Sequence, residues 1–129
     1  MNVVVALIDG LLSDQKPVRI KTETELLVYA YRVAGTVGIL MCDMLNCDHK
    51  NALDHAMDLG IAMQLTNIAR DVLEDAEMGR RYLPESWVGD GFADCEDQAY
   101  GCDLTCYDND GGDCAPADCC GVPGGDNST

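Results

Sequence analysis

Four polar residues recur at intervals of three, four and four along one stretch of the chain: Gln64, Asn67, Asp71 and Asp75. On a helix, at about 100° per residue, they fall within a stripe roughly 80° wide. The two carboxylates, one turn apart, repel each other, and burying them unpaired is costly. A cation between them offsets that cost, and Mg²⁺ takes oxygen ligands from one or two carboxylates together with a phosphate. The spacing therefore predicts a site for Mg²⁺ and a phosphate group.

The simpler alternative is that Asp71, Glu74 and Asp75 form a frayed, solvated end of a helix. Two features of the surrounding sequence favour the site. The segment QLTNIARDVLEDAEMGRRYLP sets an amide pair before the acids and Arg80 with Tyr82 after them, which supplies metal ligands and a diphosphate clamp together. Apolar side chains also project to the same side of the helix as the acids: Leu53, Met57, Ile61 and Ile68.

Two long helices are predicted to position these groups, one over about 22–45 and one over about 51–75, packed antiparallel. Thr22 stands three residues before Glu25, which has the form of a capping box at the start of the first helix. Residues 3–12 are apolar and predict a short helix or a strand. The sequence thus indicates an all-α fold.

Residues in the middle of both helices indicate that other parts of the protein or a ligand lie against them. Gly35 and Gly38 in the first helix indicate either close helix packing or room for a bulky ligand, and both are expected to face the second helix. The middle of the second helix carries one charge, Asp58, and is otherwise apolar nearly all round, which is typical of a central helix in a larger bundle. We recognise no apolar run of membrane-spanning length in the sequence.

Charge and cysteine divide the chain into two parts, 1–87 and 88–129. Residues 1–81 hold 8 basic and 12 acidic residues, a net charge of −4, whereas the rest hold 11 acids and no base. Without a basic stripe, nucleic-acid binding is not expected. Cys42 and Cys47 lie in the first part, and the other six cysteines crowd the second: Cys95, Cys102, Cys106, Cys114, Cys119 and Cys120.

Two motifs in the first part, YRVAGTVG and DLGIAMQLTNIARDVLEDAEMGRRYLPESW, resemble the bacterial phytoene synthases of the squalene/phytoene synthase family. The resemblance runs from about Leu7 to Trp87. It implies part of an all-helical isoprenoid-synthase bundle around a large cavity. It further implies head-to-head joining of two prenyl diphosphates (geranylgeranyl or farnesyl) through a cyclopropyl diphosphate, with two or three Mg²⁺ ions in the complete site. Peripheral membrane association for product release would fit such a family.

The resemblance also implies roles for individual residues. Asp71 and Asp75 match the second aspartate-rich motif, which holds Mg²⁺, and Tyr29 matches a tyrosine that assists proton or carbocation handling. The polar end of the cavity and its diphosphate contacts are matched by Gln64, Asn67, Arg80 and Tyr82. The wall around the prenyl tails is matched by Val33, Ala34, Val37, Gly38, Ala56, Leu59 and Met63.

The sequence departs from the family in its first aspartate-rich motif. Only Asp9 and Asp14 lie upstream, five residues apart and flanking Gly10, and neither fits that motif. Helices that normally follow YLPESW have no counterpart in what comes next. We therefore expect half of a site and a chain that is inactive alone. Its product length and oligomeric state are not predicted.

The second part, with the segment DGFADCEDQAYGCDLTCYDNDGGDC, weakly resembles the Lin-12/Notch-type repeat of secreted proteins. That resemblance implies disulfides and a Ca²⁺ ion held by Asp90, Asp94, Asp108, Asp110 and Asp113. Zinc bound through Cys119 and Cys120, or a disordered acidic tail, are the alternatives.

The two parts therefore suggest two different functions. A secreted Ca²⁺-binding interaction module is the alternative to prenyl transfer. The helical part suits the cytoplasm and the tail an extracellular setting. We interpret this conflict as a fused or truncated reading frame joined near ESW.

Overall fold

Helices make up most of the structure, a computed structural model that describes residues 2–88. The helices, in chain order, are α1 (Val3–Ser13), α2 (Glu23–Ala30), a π-helical turn (Tyr31–Gly35), α3 (Thr36–Met44), α4 (Ala52–Arg70), α5 (Val72–Glu77) and a 3₁₀ turn (Glu85–Trp87). Within that range no β-strand longer than an isolated bridge is present. The prediction of an all-α fold is confirmed, and residues 3–12 are helical.

The helix that was predicted over 22–45 is continuous from Glu23 to Met44 and is capped by its own sequence. The Thr22 hydroxyl accepts a hydrogen bond from the Glu25 backbone N–H at 3.2 Å. The Glu25 carboxylate reaches back and accepts from the Lys21 N–H at 2.8 Å, one residue earlier than in a standard capping box. The first bond satisfies a backbone donor that the first turn of a helix leaves free, and the second ties the residue before the cap to that turn.

One turn of this helix, at the motif YRVAG, is wider than an α-helical turn. The backbone N–H of Thr36 bonds to the carbonyl of Tyr31, five residues back, instead of four. Thr36 is fully buried, and its hydroxyl donates to the Arg32 carbonyl at 2.8 Å, so this buried polar group is satisfied. Such π turns are rare and are frequent at functional sites.

Glycines let α4 lie directly against this helix. A Cβ on Gly38 would overlap the carbonyl of Ala56, and a Cβ on Gly60 would overlap the carbonyl of Ala34. Because position 38 meets 56 while position 34 meets 60, the two helices run antiparallel, as predicted. A Cβ on Gly35 would meet Met57 and Ile61, so both glycines of the first helix face the second. Close helix packing therefore explains them.

The second long helix differs from the prediction at its end, because Asp71 breaks it. The backbone of Asp71 has φ −101° and ψ 18°, outside the helical region, and α5 starts afresh at Val72. Aspartate is a weak helix former because its carboxylate competes for local hydrogen bonds. Here that carboxylate is engaged by the neighbouring Arg70.

After α5 the chain returns along the loop between α1 and α2. Arg81 pairs with this loop in parallel fashion: its N–H donates to the Val18 carbonyl at 3.0 Å, and its carbonyl accepts from the Ile20 N–H at 3.2 Å. This pairing closes a small core that is formed by Val18, Ile20, Leu26, Ile68, Val72, Tyr82 and Leu83. The indole N–H of Trp87 donates to Glu23 at 3.1 Å and ties the last turn to the start of α2.

Many large apolar side chains remain exposed in the described residues, among them Val4, Ile8, Leu12, Leu59 and Met63. The helix Glu23–Met44 is also long and apolar enough, by length and composition, to cross a membrane. Our sequence-based statement that no such run exists was therefore wrong. A core helix of a helical bundle has the same composition, and this helix packs against α1 and α4.

The predictions for the acidic tail lie outside the described residues. These are the calcium ligands Asp90, Asp94, Asp108, Asp110 and Asp113, the six cysteines from Cys95 onward, and the zinc alternative. The domain boundary near Val88 likewise stays a prediction.

Candidate functional site

Gln64, Asn67, Asp71 and Asp75, the four residues of the polar stripe, meet in one cavity of about 230 Å³. It lies where the end of α4 and the start of α5 face α2 and the returning segment. The remaining residues of its wall are Tyr29, Ile68, Arg70 and Tyr82. The break at Asp71 does not separate the two aspartates, which stay on the same side as the two amides.

A second cavity, of about 500 Å³, is apolar and runs between α3 and α4. All seven residues that the resemblance assigned to the wall around prenyl tails line it: Val33, Ala34, Val37, Gly38, Ala56, Leu59 and Met63. Gln64 and Asn67 line both cavities, so the polar cavity and the apolar one are direct neighbours. Several wall residues are substantially exposed, which makes the apolar cavity an open groove rather than an enclosed chamber.

Asp14 joins the polar site from the end of α1, and sequence analysis had not assigned it there. The Tyr29 hydroxyl donates to its two carboxylate oxygens, each at 3.1 Å, and the Tyr82 hydroxyl donates to one of them at 3.0 Å. The two phenol rings stack with centroids 4.9 Å apart and an interplanar angle of 29°. One carboxylate thus fixes both tyrosines that the resemblance assigned to the site.

The environment keeps both phenols protonated. Burial, followed by the neighbouring Tyr82 and the negative charge of Asp14, raises the pKa of Tyr29 far above its ordinary value. Burial also raises the pKa of Tyr82, and Asp14 adds to that rise. Two neutral hydroxyl groups, held by a carboxylate, therefore stand at the junction of the site with the small core.

The two aspartates of the second motif differ in their surroundings. Arg70 holds Asp71 through two hydrogen bonds, at 2.6 and 2.7 Å, and this contact lowers the pKa of the Asp71 carboxyl. The pKa of Asp75 is raised, first by partial burial and then by the charge of Asp71; the nearby Arg80 opposes this rise. Of these two aspartates, Asp75 is consequently the one without an ion pair in the described part of the chain, and the charge of Arg80 compensates it only in part.

Arg80 lies beside the polar cavity rather than in its wall. Its backbone N–H donates to the Asp75 carbonyl at 2.8 Å, which holds the two residues together. The next residue, Arg81, is committed to the pairing with the α1–α2 loop and to an ion pair with Glu85 at 3.4 Å. Of the two arginines, Arg80 is the one whose charge acts on the site.

The donor set suits Mg²⁺ only as an open site. Among residues 2–88, no three His, Cys, Asp or Glu side chains converge closely enough to hold a metal by themselves. Asp71 and Asp75 offer carboxylate oxygens to the cavity, and Gln64 and Asn67 offer amide oxygens. Mg²⁺ is commonly held by one or two carboxylates, with water and substrate phosphates completing its shell. The residues present fit that mode of binding.

Two residues of the site were missed by sequence reasoning, Asp14 and Arg70. Asp14 follows a short helix and precedes a loop, and only the pairing of that loop with Arg81 brings it to Tyr82. Arg70 lies directly before Asp71, and this adjacency could have indicated that a cation of the chain itself pairs with Asp71.

The comparisons with known proteins agree with the geometry. The family model described as squalene/phytoene synthase matches residues 1–101. The 15-cis-phytoene synthase of Enterobacter agglomerans is 47% identical over 81 residues, which is 63% of this chain and 28% of that protein. The phytoene synthase of Thermus thermophilus is 55% identical over 76 residues, 59% of this chain and 26% of that protein.

A plant relative extends the match. The chloroplastic phytoene synthase of an Oncidium hybrid cultivar is 40% identical over 97 residues, 70% of this chain and 24% of that protein. The chain spans about a quarter of the length of these curated relatives. No solved structure matches it.

Proposed function

The chain belongs to the squalene/phytoene synthase family, and on this premise we propose that residues 2–88 form one half of a site for head-to-head prenyl transfer. The substrates are prenyl diphosphates, geranylgeranyl or farnesyl, bound with Mg²⁺. One observation carries the proposal: a polar cavity with two aspartates adjoins an apolar groove between α3 and α4, and Gln64 and Asn67 line both. A diphosphate with a long hydrocarbon tail has this same division between a charged and an apolar part.

Each part of the site has a role in the proposed mechanism. Asp71 and Asp75 would hold Mg²⁺, whose chemistry is to neutralise negative charge on a departing diphosphate. Arg80, beside Asp75, adds positive charge at the same end. The groove keeps water away from an allylic cation along the part of the tail that it covers.

Asp14 organises the tyrosines in this scheme. Because its carboxylate accepts from both hydroxyl groups, it holds Tyr29 at the mouth of the polar cavity with its proton in place. A neutral phenol there can donate a hydrogen bond to an anion or face a cation through its ring. Asp14 is a positioning residue in this proposal, since it acts through Tyr29 and Tyr82.

The 129-residue polypeptide alone is proposed to bind diphosphates without joining them. Head-to-head transfer must hold two diphosphates, and the sequence offers one aspartate pair with one arginine beside it. The groove is open along exposed residues such as Leu59 and Met63, so water would reach an allylic cation and quench it. Binding of a single diphosphate with Mg²⁺ requires only one such set of groups, and the polar cavity supplies oxygen ligands for the metal.

Calorimetric titration tests the proposal. The purified chain is titrated with a slowly ionising thio-diphosphate analogue of geranylgeranyl diphosphate, in Mg²⁺ and in EDTA. We expect Mg²⁺-dependent binding that weakens at least about tenfold in Asp71→Asn and Asp75→Asn, since each removes a charged ligand. Asp58→Asn, an exposed aspartate on α4 outside both cavities, is the matched control.

Two results would contradict the proposal. Binding that is equally strong in EDTA and in Mg²⁺ would show that no metal takes part. Asp71→Asn and Asp75→Asn variants that bind as tightly as Asp58→Asn would show that the two aspartates hold no metal. Formation of C40 or C30 hydrocarbon from geranylgeranyl or farnesyl diphosphate by the purified chain would show that it completes the reaction, for instance by pairing with a second copy.

A further inference from the structure

The C-terminal end of α3 has the geometry of a Schellman motif. The helix ends at Met44 with Leu45 as its C-cap, and the next residue, Asn46, has the left-handed backbone that this motif requires, φ 50°. The Cys47 N–H donates to the Cys42 carbonyl at 3.2 Å, and the Asn46 N–H donates to the Asp43 carbonyl at 3.1 Å. These are the two backbone bonds that define the motif.

This motif brings two particular side chains together, those of the third residue before the cap and the second residue after it. The pair is frequently apolar, and here it is Cys42 and Cys47. The two thiols are near enough for Cys47 to raise the pKa of Cys42, and within residues 2–88 both are free. Cys42 is buried and Cys47 is exposed. Chain geometry alone therefore holds an accessible thiol against a sheltered one.

Both cysteines also line the apolar groove, together with Leu45 and Ala52. They stand where α3 turns into α4, whereas Asn67 lies roughly fifteen residues along α4, or about 22 Å of helix. The pair therefore occupies the end of the groove remote from the aspartates. A change at these sulfurs would alter that end without touching the polar cavity.

We propose that Cys42 and Cys47 are a redox-active dithiol that closes to an intramolecular disulfide when it meets a small-molecule disulfide of the glutathione class. The exposed Cys47 thiolate attacks one sulfur of that disulfide, forms a mixed disulfide and releases one thiolate. Cys42 then loses its proton to solvent, attacks the Cys47 sulfur and expels the second thiolate. Two thiols and one external disulfide thus become one internal disulfide and two external thiols. The pair makes the remote end of the groove sensitive to the thiol–disulfide balance around it.

The order of attack follows from the surroundings of the two sulfurs. Burial, and then the contact with Cys47, raises the pKa of the Cys42 thiol, so it is a poor first nucleophile at neutral pH. Held beside Cys47, it needs little thiolate to react, because the mixed disulfide is presented to it at high effective concentration. The closing step should accordingly become faster as pH rises.

Peptide mapping of the full chain tests the proposal. Trypsin cleavage after Arg32 and Lys50 gives a peptide, residues 33–50, that holds both cysteines and none of the other six. The reduced protein is treated with oxidised glutathione, alkylated and digested. We expect this peptide to be two hydrogen atoms lighter and unalkylated. In Cys42→Ser the chain should instead accumulate glutathione on Cys47.

A matched variant separates the motif from mere nearness in sequence. In Cys47→Ser/Asp48→Cys the number of thiols is kept, but one is moved off the position that the motif brings to Cys42. We expect closure at least about tenfold slower in this variant, and likewise slower for the original chain in urea. The proposal would be overturned if peptide 33–50 were alkylated twice, carried two glutathiones or were cross-linked mainly to a tail peptide. Equal rates of closure in the shifted variant or in urea would overturn it as well.

Discussion

Replacing Asp14 by asparagine should destabilise the fold, because this carboxylate joins three segments of the chain. It ends α1, and it accepts hydrogen bonds from Tyr29 in α2 and from Tyr82 in the returning segment. A hydrogen bond to a charged group contributes about 1.5–3 kcal/mol, and one between neutral groups about 0.5–1.5 kcal/mol. Asparagine keeps a carbonyl acceptor, so each of the two phenol contacts should lose about 1 kcal/mol.

A smaller effect opposes this loss. The charge of Asp14 raises the pKa of Asp75, so its removal relieves some repulsion between the two carboxylates. We therefore expect Asp14→Asn to lower the free energy of unfolding by about 1–2 kcal/mol. Urea denaturation followed by circular dichroism measures this, and Asp9→Asn is the matched control, because Asp9 is exposed on the same helix. The control should stay within about 0.5 kcal/mol of the original chain.

The pH dependence gives a second measurement. The pKa of Tyr29 in the folded state lies above its value in the unfolded chain. Its contribution to stability is therefore complete below about pH 10, the unfolded value, and is lost as pH rises towards the folded pKa. Removing the Asp14 charge lowers the folded pKa of Tyr29 and Tyr82, which should appear as earlier phenolate absorbance in an alkaline titration. An Asp14→Asn variant that matches Asp9→Asn in both measurements would refute the reasoning.

Two further predictions concern stability. Asp75→Asn should stabilise the fold in EDTA at neutral pH. Because folding raises the pKa of Asp75, the contribution of this residue to stability is present below the unfolded pKa and is lost as pH rises through the folded pKa. At neutral pH the ionised carboxylate therefore opposes folding, and asparagine removes its charge. Urea denaturation that shows this variant less stable than the original chain in EDTA would contradict it. Gly60→Ala should lower the free energy of unfolding by about 1–3 kcal/mol, since the new Cβ overlaps the Ala34 carbonyl. Thermal melting checks this, with Ala62→Ser, at an exposed position of the same helix, as the control. Equal melting temperatures for the two variants would count against close packing.

Periodicity and local chemistry could predict the helices and the side on which the polar residues lie. The cap formed by Thr22 and Glu25 depends on residues close together in the sequence, and the contact face of Gly35 and Gly38 depends on one side of one helix. Both could therefore be predicted from the sequence. The Asp14 contact depends instead on a backbone pairing more than sixty residues distant, between the α1–α2 loop and Arg81. No periodic pattern encodes such a pairing, which explains why this residue was missed.

The surroundings of Asp71 and Asp75 resolve the electrostatic problem that their spacing posed. A pair of carboxylates one turn apart needs a cation, and Arg70 supplies one, but only to Asp71. Asp75 stays partly buried near three other acids, Asp71, Glu74 and Asp14, and Arg80 offsets their effect only in part. A divalent ion that binds in the polar cavity would therefore neutralise the uncompensated charge of Asp75 directly, whereas at Asp71 it must first displace the ion pair with Arg70. In the proposed titrations Asp75→Asn should consequently weaken Mg²⁺-dependent binding more than Asp71→Asn does, and the reverse order would mean that Arg70 leaves Asp71 readily.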